Sequence, residues 1–308
     1  MSVPVVQLRS RVSNGDALRG RMVTEAEVSI RLDGDCDVYK PNGDPLVMFR
    51  KRAISDEAID LAYPALHELR KYKTDNRGAY AGATRQYAVA DDGTQSKSSR
   101  TRTAEGKIHQ VASAIVGYFD RQGGRFPFCR ETMFTGKFPD EWATLLPMIR
   151  RTAEVMKAAA PKRYAKQMEA CVKCPPEYLI EGGPFTTLTV NNNVAPAATH
   201  TDRGDYKDGI GVIGMVRRGQ FTGGWLVFPE YKVGVEMQNG DLLMFNSHDW
   251  HGVTPMVPIT DDAERITIVY YMREKMKKCL PVEEQLRLLR DKQITIPTDD
   301  DEDVEDEG

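Results

Sequence analysis

The 308-residue chain has few cysteines, few aromatics and no long apolar run. Five cysteines, an odd number in a long chain, argue against a disulfide framework and favour a reducing compartment. No apolar stretch approaches the ~20 residues that a membrane-spanning helix requires, so no membrane association is expected. Met1 to Arg21 lacks the apolar segment of a secretory signal. These absences point to a soluble, intracellular monomer. It would be nuclear in a eukaryote, or sit in the host cytoplasm if viral or bacterial. The chain is nevertheless 41% hydrophobic, which excludes collagen-like, coiled-coil and wholly disordered classes and is enough for a sizeable core.

Net charge is also scarce, at −3, but that figure averages two unlike parts. Eight acids crowd the last ten residues, from Asp299 to Glu307. Setting those eight aside leaves 37 acids against 42 bases, a body of +5. A run of like charge repels itself, so residues 298–308 are expected to form a disordered acidic tail. From Lys71 to Arg130 there are eleven Lys/Arg and five Asp/Glu. Within it, the loop 71–107 is rich in Gly, Ser and Thr, and Ser96–Arg102 reads as a flexible basic stretch. Such a loop is either a solvated surface or one that meets phosphates, with Lys97, Arg100 and Arg102 as backbone contacts.

Ahead of that loop, residues 1–70 read as short strands followed by a helix carrying Ile59, Ala62, Leu66 and Leu69. Ile108–Phe119 reads as a helix. So does Asp140–Ala159, with Trp142, Leu145, Leu146, Ile149, Ala153 and Met156 on one face. Pro161 ends it and a further short helix follows. His67 and His109 fall in predicted helices and read as structural. Cys171-Val172-Lys173-Cys174 is a lone CxxC with no second soft pair nearby, so two ordinary thiols at a helix end are expected rather than zinc. From Pro184 the pattern becomes short β-prone runs punctuated by Gly, Pro and Asn-Gly, the mark of an antiparallel barrel or jelly roll. Helices packed beside such a core make an α+β fold.

The chemistry concentrates in this β-rich half. In His200-Thr201-Asp202, residues i and i+2 of an extended strand point the same way, so an imidazole and a carboxylate face one point. About fifty residues on comes Asn246-Ser247-His248-Asp249-Trp250-His251-Gly252. Two histidines and one carboxylate on a β-barrel form the facial triad of non-heme Fe(II) oxygenases. His251 leads into a strand through Gly252-Val253 and is taken as the third ligand, with His248 on the substrate side. Arg265 lies fourteen residues further, at the head of Ile266-Thr267-Ile268-Val269. A guanidinium fork there suits the distal carboxylate of 2-oxoglutarate.

Several stretches resemble the TET/JBP family of Fe(II)- and 2-oxoglutarate-dependent 5-methylpyrimidine DNA dioxygenases, in particular the J-binding-protein (thymine) branch. They are His200-Thr201-Asp202-Arg203-Gly204-Asp205-Tyr206, Gly219 through Tyr231 with its Gly223-Gly224-Trp225, Asn239-Gly240-Asp241, and His248-Asp249-Trp250-His251-Gly252. Asn76-Arg77-Gly78 and Phe128-Cys129-Arg130 also match that branch. The resemblance implies a double-stranded β-helix core over 184–275 within a dioxygenase domain spanning 71–297, with supporting N-terminal strands and helices. It implies Fe(II) on His200, Asp202 and His251, 2-oxoglutarate on the metal and Arg265, and O2 as oxidant. Asn191 or Asn193 are candidate donors to the co-substrate. Substrate contacts are placed at Asp205, Tyr206, His248 and Arg130. The substrate is then a pyrimidine, thymine or 5-methylcytosine, flipped out of DNA. Two other classes share the bare HxD…H…R signature: an oxygenase acting on a protein side chain or small molecule, and a non-catalytic DNA-binding module.

Overall fold

Alternation along single strands sorts the core into two layers. In the Glu264–Tyr271 strand, Ile266, Ile268 and Tyr270 face a helical layer, whereas Val269 packs on the opposite side. The same parity puts Arg265 and Thr267 on the Val269 side. The computed structural model describes residues 3–12, 15–74, 84–89, 95–102, 111–121, 126–202 and 204–291.

The large sheet is ten-stranded and runs Val5–Gln7, Cys36–Tyr39, Pro45–Arg50, Leu242–Phe245, Gly211–Arg218, Glu264–Tyr271, Thr187–Asn192, Val111–Phe119 and Lys73–Thr74, with Arg130–Glu131 added beside Val111–Phe119. All its pairings are antiparallel except that of Val5–Gln7 with Cys36–Tyr39. The small sheet runs Ala197–His200, His251–Val253, Leu226–Phe228, Val233–Val235 and Ile30–Leu32. Phe49, Ile213, Met215, Leu243 and Phe245 of the large sheet pack against Leu226, Phe228, Val233 and Val235 of the small one. This is the double-stranded β-helix of an α+β fold. The strands before residue 70 are members of both sheets, so the β-helix extends well outside 184–275.

Two helices cover the far face of the large sheet. Ser55 caps the first, Asp56–Glu68, by accepting from the Ala58 amide. Ile59, Ala62 and Leu66 are its buried stripe. Pro139 opens the second, Pro139–Ala159, which buries Leu145, Ile149 and Met156. Pro161 both stops that helix and starts Pro161–Cys171. His67 is structural: its Nδ1 lies 2.9 Å from Oε1 of the buried Glu264, tying the first helix to the sheet.

Three expectations need correcting. Val111–Phe119 is a strand, not a helix, pairing on both sides with Thr187–Asn192 and Lys73–Thr74. It is an apolar run whose type periodicity alone does not decide. Gly117 bends it at φ +88°, where a Cβ would stand 2.9 Å from the Thr186 carbonyl. The basic stretch is likewise a strand: Gln95–Arg102 pairs with Thr84–Val89, whose Tyr87 and Val89 are β-formers. Finally, Cys129 and Cys279 form a disulfide across 150 residues. An odd count does not exclude a bridge, and the 5.7 Å Cα separation that permits this one is invisible in sequence. Cys36, Cys171 and Cys174 are free and buried, and burial pushes the Cys171 thiol up to about 12 and Cys174 to about 11. His109 and the acidic tail lie outside the described residues.

Candidate metal centre and co-substrate pocket

His200 ends one strand of the small sheet and His251 begins its neighbour, and the two are register partners. Their rings are 4.4 Å apart between centroids. Asp202 follows in the turn after Ala197–His200. Its carboxylate oxygens each lie 3.8 Å from one imidazole, Oδ1 from Nε2 of His200 and Oδ2 from Nε2 of His251. These separations are too long for hydrogen bonds, and one ligand atom from each residue falls within 4.8 Å of the other two, so the three can share one cation. His200 Nδ1 donates to the Ala198 carbonyl at 2.8 Å, and His251 Nδ1 donates to the Asp249 carbonyl at 2.9 Å. Each bond keeps the proton on Nδ1 and leaves the Nε2 lone pair for a metal. Two imidazoles and one carboxylate on one side of a cation are the donor set of a non-heme Fe(II) centre.

Ser247 is a residue that motif reading passed over. Its carbonyl accepts from the Asp202 amide at 2.9 Å, and its hydroxyl donates to Asp205 Oδ2 at 2.7 Å. It thereby fastens the Asp202 turn to the loop that carries His251. No spacing rule marks it, because its partners are some forty residues away.

Arg265 crosses the interior from the large sheet and donates from Nε to the Gly224 carbonyl at 3.2 Å. It is only 3% exposed, and among the described residues no carboxylate pairs with it. Burial, with a smaller push from Arg217, lowers its pKa to about 10, so it stays charged at neutral pH. A buried guanidinium whose terminal nitrogens have no partner among the described residues calls for an anion. That fits a 2-oxoglutarate carboxylate. Gly224 allows the approach: it sits at φ +69°, and a Cβ there would stand 2.9 Å from Arg265 Nε. At the adjacent Gly223, φ +77°, a Cβ would fall 1.9 Å from the Pro255 carbonyl oxygen. The Gly-Gly pair is therefore dictated by the backbone.

Asn191 and Asn193 play different parts. Asn193, at φ +53°, turns the chain and accepts the Arg265 amide on its Oδ1 at 2.7 Å. Asn191 pairs in register with Thr267 and Ser113, on the interior face of the large sheet. Ser113 Oγ donates to Asn191 Oδ1 at 2.6 Å, which leaves the amide nitrogen as a donor. Ser113 was hidden because its strand reads as a helix.

Of the residues expected to meet substrate, Asp205 is 8% exposed, and its main chain bridges to Arg273. Tyr206 lies under the Lys277 ammonium at 4.7 Å. The Arg130 guanidinium stands 3.7 Å from the Phe126 ring centroid and donates to the Asp120 carbonyl. The buried His248 Nε2 has no hydrogen-bond partner among the described residues. Lys97, Arg100 and Arg102 belong to the Gln95–Arg102 strand, and their side chains are outside the described set.

The sequence model of the Tet_JBP family, described as the oxygenase domain of the 2OGFeDO superfamily, matches residues 114–274, just over half of the chain. The chain belongs to the TET/JBP oxygenase family. Among its relatives, thymine dioxygenase JBP1 of Trypanosoma brucei brucei is 37% identical over 181 residues, 58% of this chain and 21% of that protein. The JBP1 of Leishmania major is 32% identical over 233 residues, 71% of this chain and 28% of that protein. The chain thus spans between a fifth and a third of the length of these curated relatives. In three dimensions it is similar to NgTET1, solved in complex with 5mC DNA, with a TM-score of 0.56 and 12% identity, covering 94% of this chain and 91% of that one. That likeness is one of fold. Among the described residues, no helix of this TET/JBP chain is long and apolar enough to cross a membrane.

Proposed function

We propose that this chain is an Fe(II)- and 2-oxoglutarate-dependent dioxygenase that hydroxylates the 5-methyl group of thymine in DNA. The observation that carries the reading is a His200–Asp202–His251 donor set together with a buried Arg265 that has no carboxylate partner among the described residues. The thymine dioxygenases among its relatives support the choice of base.

Fe(II) bound with 2-oxoglutarate and O2 supplies the hard chemistry, coupling decarboxylation of the co-substrate to insertion of one oxygen atom into a C–H bond. The chain holds and orients. His200, Asp202 and His251 would hold the metal through their two imidazole nitrogens and one carboxylate. Arg265 receives the distal carboxylate with its terminal nitrogens, and Asn191 donates from its amide. Asn193 and Gly224 keep Arg265 in place. A methyl group inside a duplex cannot reach this interior, so the base is flipped out before it is read. Asp205, held by Ser247, is acceptor-only when ionised and takes the N3–H of thymine. Tyr206, His248 and Arg130 line the approach, and Lys97, Arg100 and Arg102 meet the phosphates.

Incubation with Fe(II), 2-oxoglutarate and two DNAs tests the reading, one DNA carrying thymine and the other enriched in 5-methylcytosine. Nucleoside mass spectrometry is expected to find one added oxygen on thymine. Oxidation confined to 5-methylcytosine would overturn the choice of base. Succinate production on another substrate, with neither DNA oxidised, would overturn the nucleic-acid reading.

Gly224→Ala examines the co-substrate assignment. The positive φ alone is expected to lower stability by about 1–3 kcal/mol. The displaced Arg265 should raise the KM for 2-oxoglutarate, while Mn(II) affinity, measured by calorimetry, stays at the parent value.

A further inference from the structure

The two metal-site histidines are supported unequally. The carbonyl that orients His200 belongs to Ala198, inside a paired strand. The carbonyl that orients His251 belongs to Asp249, in the loop before the strand begins. Asp249 is outside the sheet ladder, and its amide donates to the Asn246 carbonyl at 2.9 Å in a local turn. What meets its side chain is Lys40, more than two hundred residues earlier. Lys40 Nζ lies 3.1 Å from Asp249 Oδ1 and 3.0 Å from Oδ2, in a pair only 11% and 14% exposed.

Lys40 is itself well anchored. It stands in the tight turn joining Cys36–Tyr39 to Pro45–Arg50, where its amide donates to the Asp44 carbonyl at 2.7 Å. Its carbonyl accepts from Gly43 N at 2.8 Å and from Gln7 Nε2 at 2.7 Å. The N-terminal segment touches the same loop a second time through Arg19, whose guanidinium lies 5.2 Å from the Trp250 ring centroid.

We infer that Lys40 is a positioning residue of the metal centre: its ion pair with Asp249 sets the carbonyl that aims His251 at the metal. The route runs from a rigid turn, through a partly buried charge pair, to the Asp249 main chain and on to His251 Nδ1. A flexible loop would let that carbonyl rotate and the imidazole swing. A double charge-assisted contact shielded from water holds it. Lys40 lies outside the segment 114–274 that matches the family, so the metal site depends on N-terminal strands beyond the matched domain.

The inference rests on the metal assignment proposed above, and Mn(II) binding to the full chain, without co-substrate or DNA, tests both. Outer partners of metal ligands typically change affinity by about 10–100-fold, and Lys40→Met is expected to raise the Mn(II) dissociation constant within that range. Lys40→Arg, which can still reach both carboxylate oxygens, should restore most of the loss. Asp249→Asn keeps the loop's volume and removes the charge, so it should reproduce the Lys40→Met loss and serves if Lys40→Met fails to fold. Adding the second substitution to the first should weaken binding no further. A folded Lys40→Met chain, with the parent far-UV spectrum and the parent Mn(II) affinity, would overturn the role of Lys40 alone. A parent that binds no Mn(II) would overturn the metal assignment together with it.

Discussion

Replacing Asp202 with Ala is expected to abolish oxidation and to weaken Mn(II) binding by more than the about 10–100-fold typical of an outer partner. Asp202 supplies the anionic donor of the three, and both its oxygens face an imidazole Nε2 at 3.8 Å. Two neutral imidazoles alone leave the cation uncompensated and two-coordinate to protein. The fold should survive. Asp202 is tied to the core by its amide, which donates to the Ser247 carbonyl, and alanine keeps that bond. An unchanged unfolding midpoint in the metal-free state, with Mn(II) binding lost in calorimetry, is the predicted pair of results. Asp202→Asn keeps the shape and loses the charge, so it should fail in the same way.

Arg265→Met is expected to separate co-substrate binding from everything else. Truncating one partner of a buried charge pair costs about 2–5 kcal/mol, which at about 1.4 kcal/mol per decade raises the KM for 2-oxoglutarate by about thirtyfold to a few thousandfold. Stability should move the other way. Arg265 is a desolvated cation without a carboxylate partner among the described residues, and an apolar side chain of similar length removes that cost. The variant should unfold at the parent temperature or above it, bind Mn(II) like the parent, and show weak saturation by 2-oxoglutarate. Arg265→Lys should recover only part of the loss, since an ammonium lacks the planar fork.

Much of the metal site was legible because its parts are local. The i, i+2 spacing of His200 and Asp202 needs only an extended strand. His251 is identified by the Gly252-Val253 strand entry after it. Arg265 stands at the head of a β-run whose alternation puts it on the interior face. The helices Asp56–Glu68 and Pro139–Ala159 were legible from apolar residues at helical spacing, with Pro161 marking where the second stops. What escaped depends on register and on distant partners. Val111–Phe119 is apolar on nearly every position, so a strand flanked on both sides looks like a buried helix, and Ser113 was lost with it. The Lys40–Asp249 pair spans 209 residues, and the Cys129–Cys279 bridge spans 150. Gly223 and Gly224 were visible as turn punctuation, but the carbonyl of Pro255 and the guanidinium of Arg265 that exclude a side chain there come from distant segments of the chain.

The central claim is that one site couples 2-oxoglutarate turnover to oxidation of a pyrimidine methyl group in DNA. The most direct test measures succinate and oxidised thymine together, in one reaction on thymine-containing DNA, for the parent and Asp202→Ala. The account predicts matching amounts of the two products from the parent and neither from Asp202→Ala. Succinate from the parent without an oxidised base, or oxidised thymine from Asp202→Ala, would contradict it.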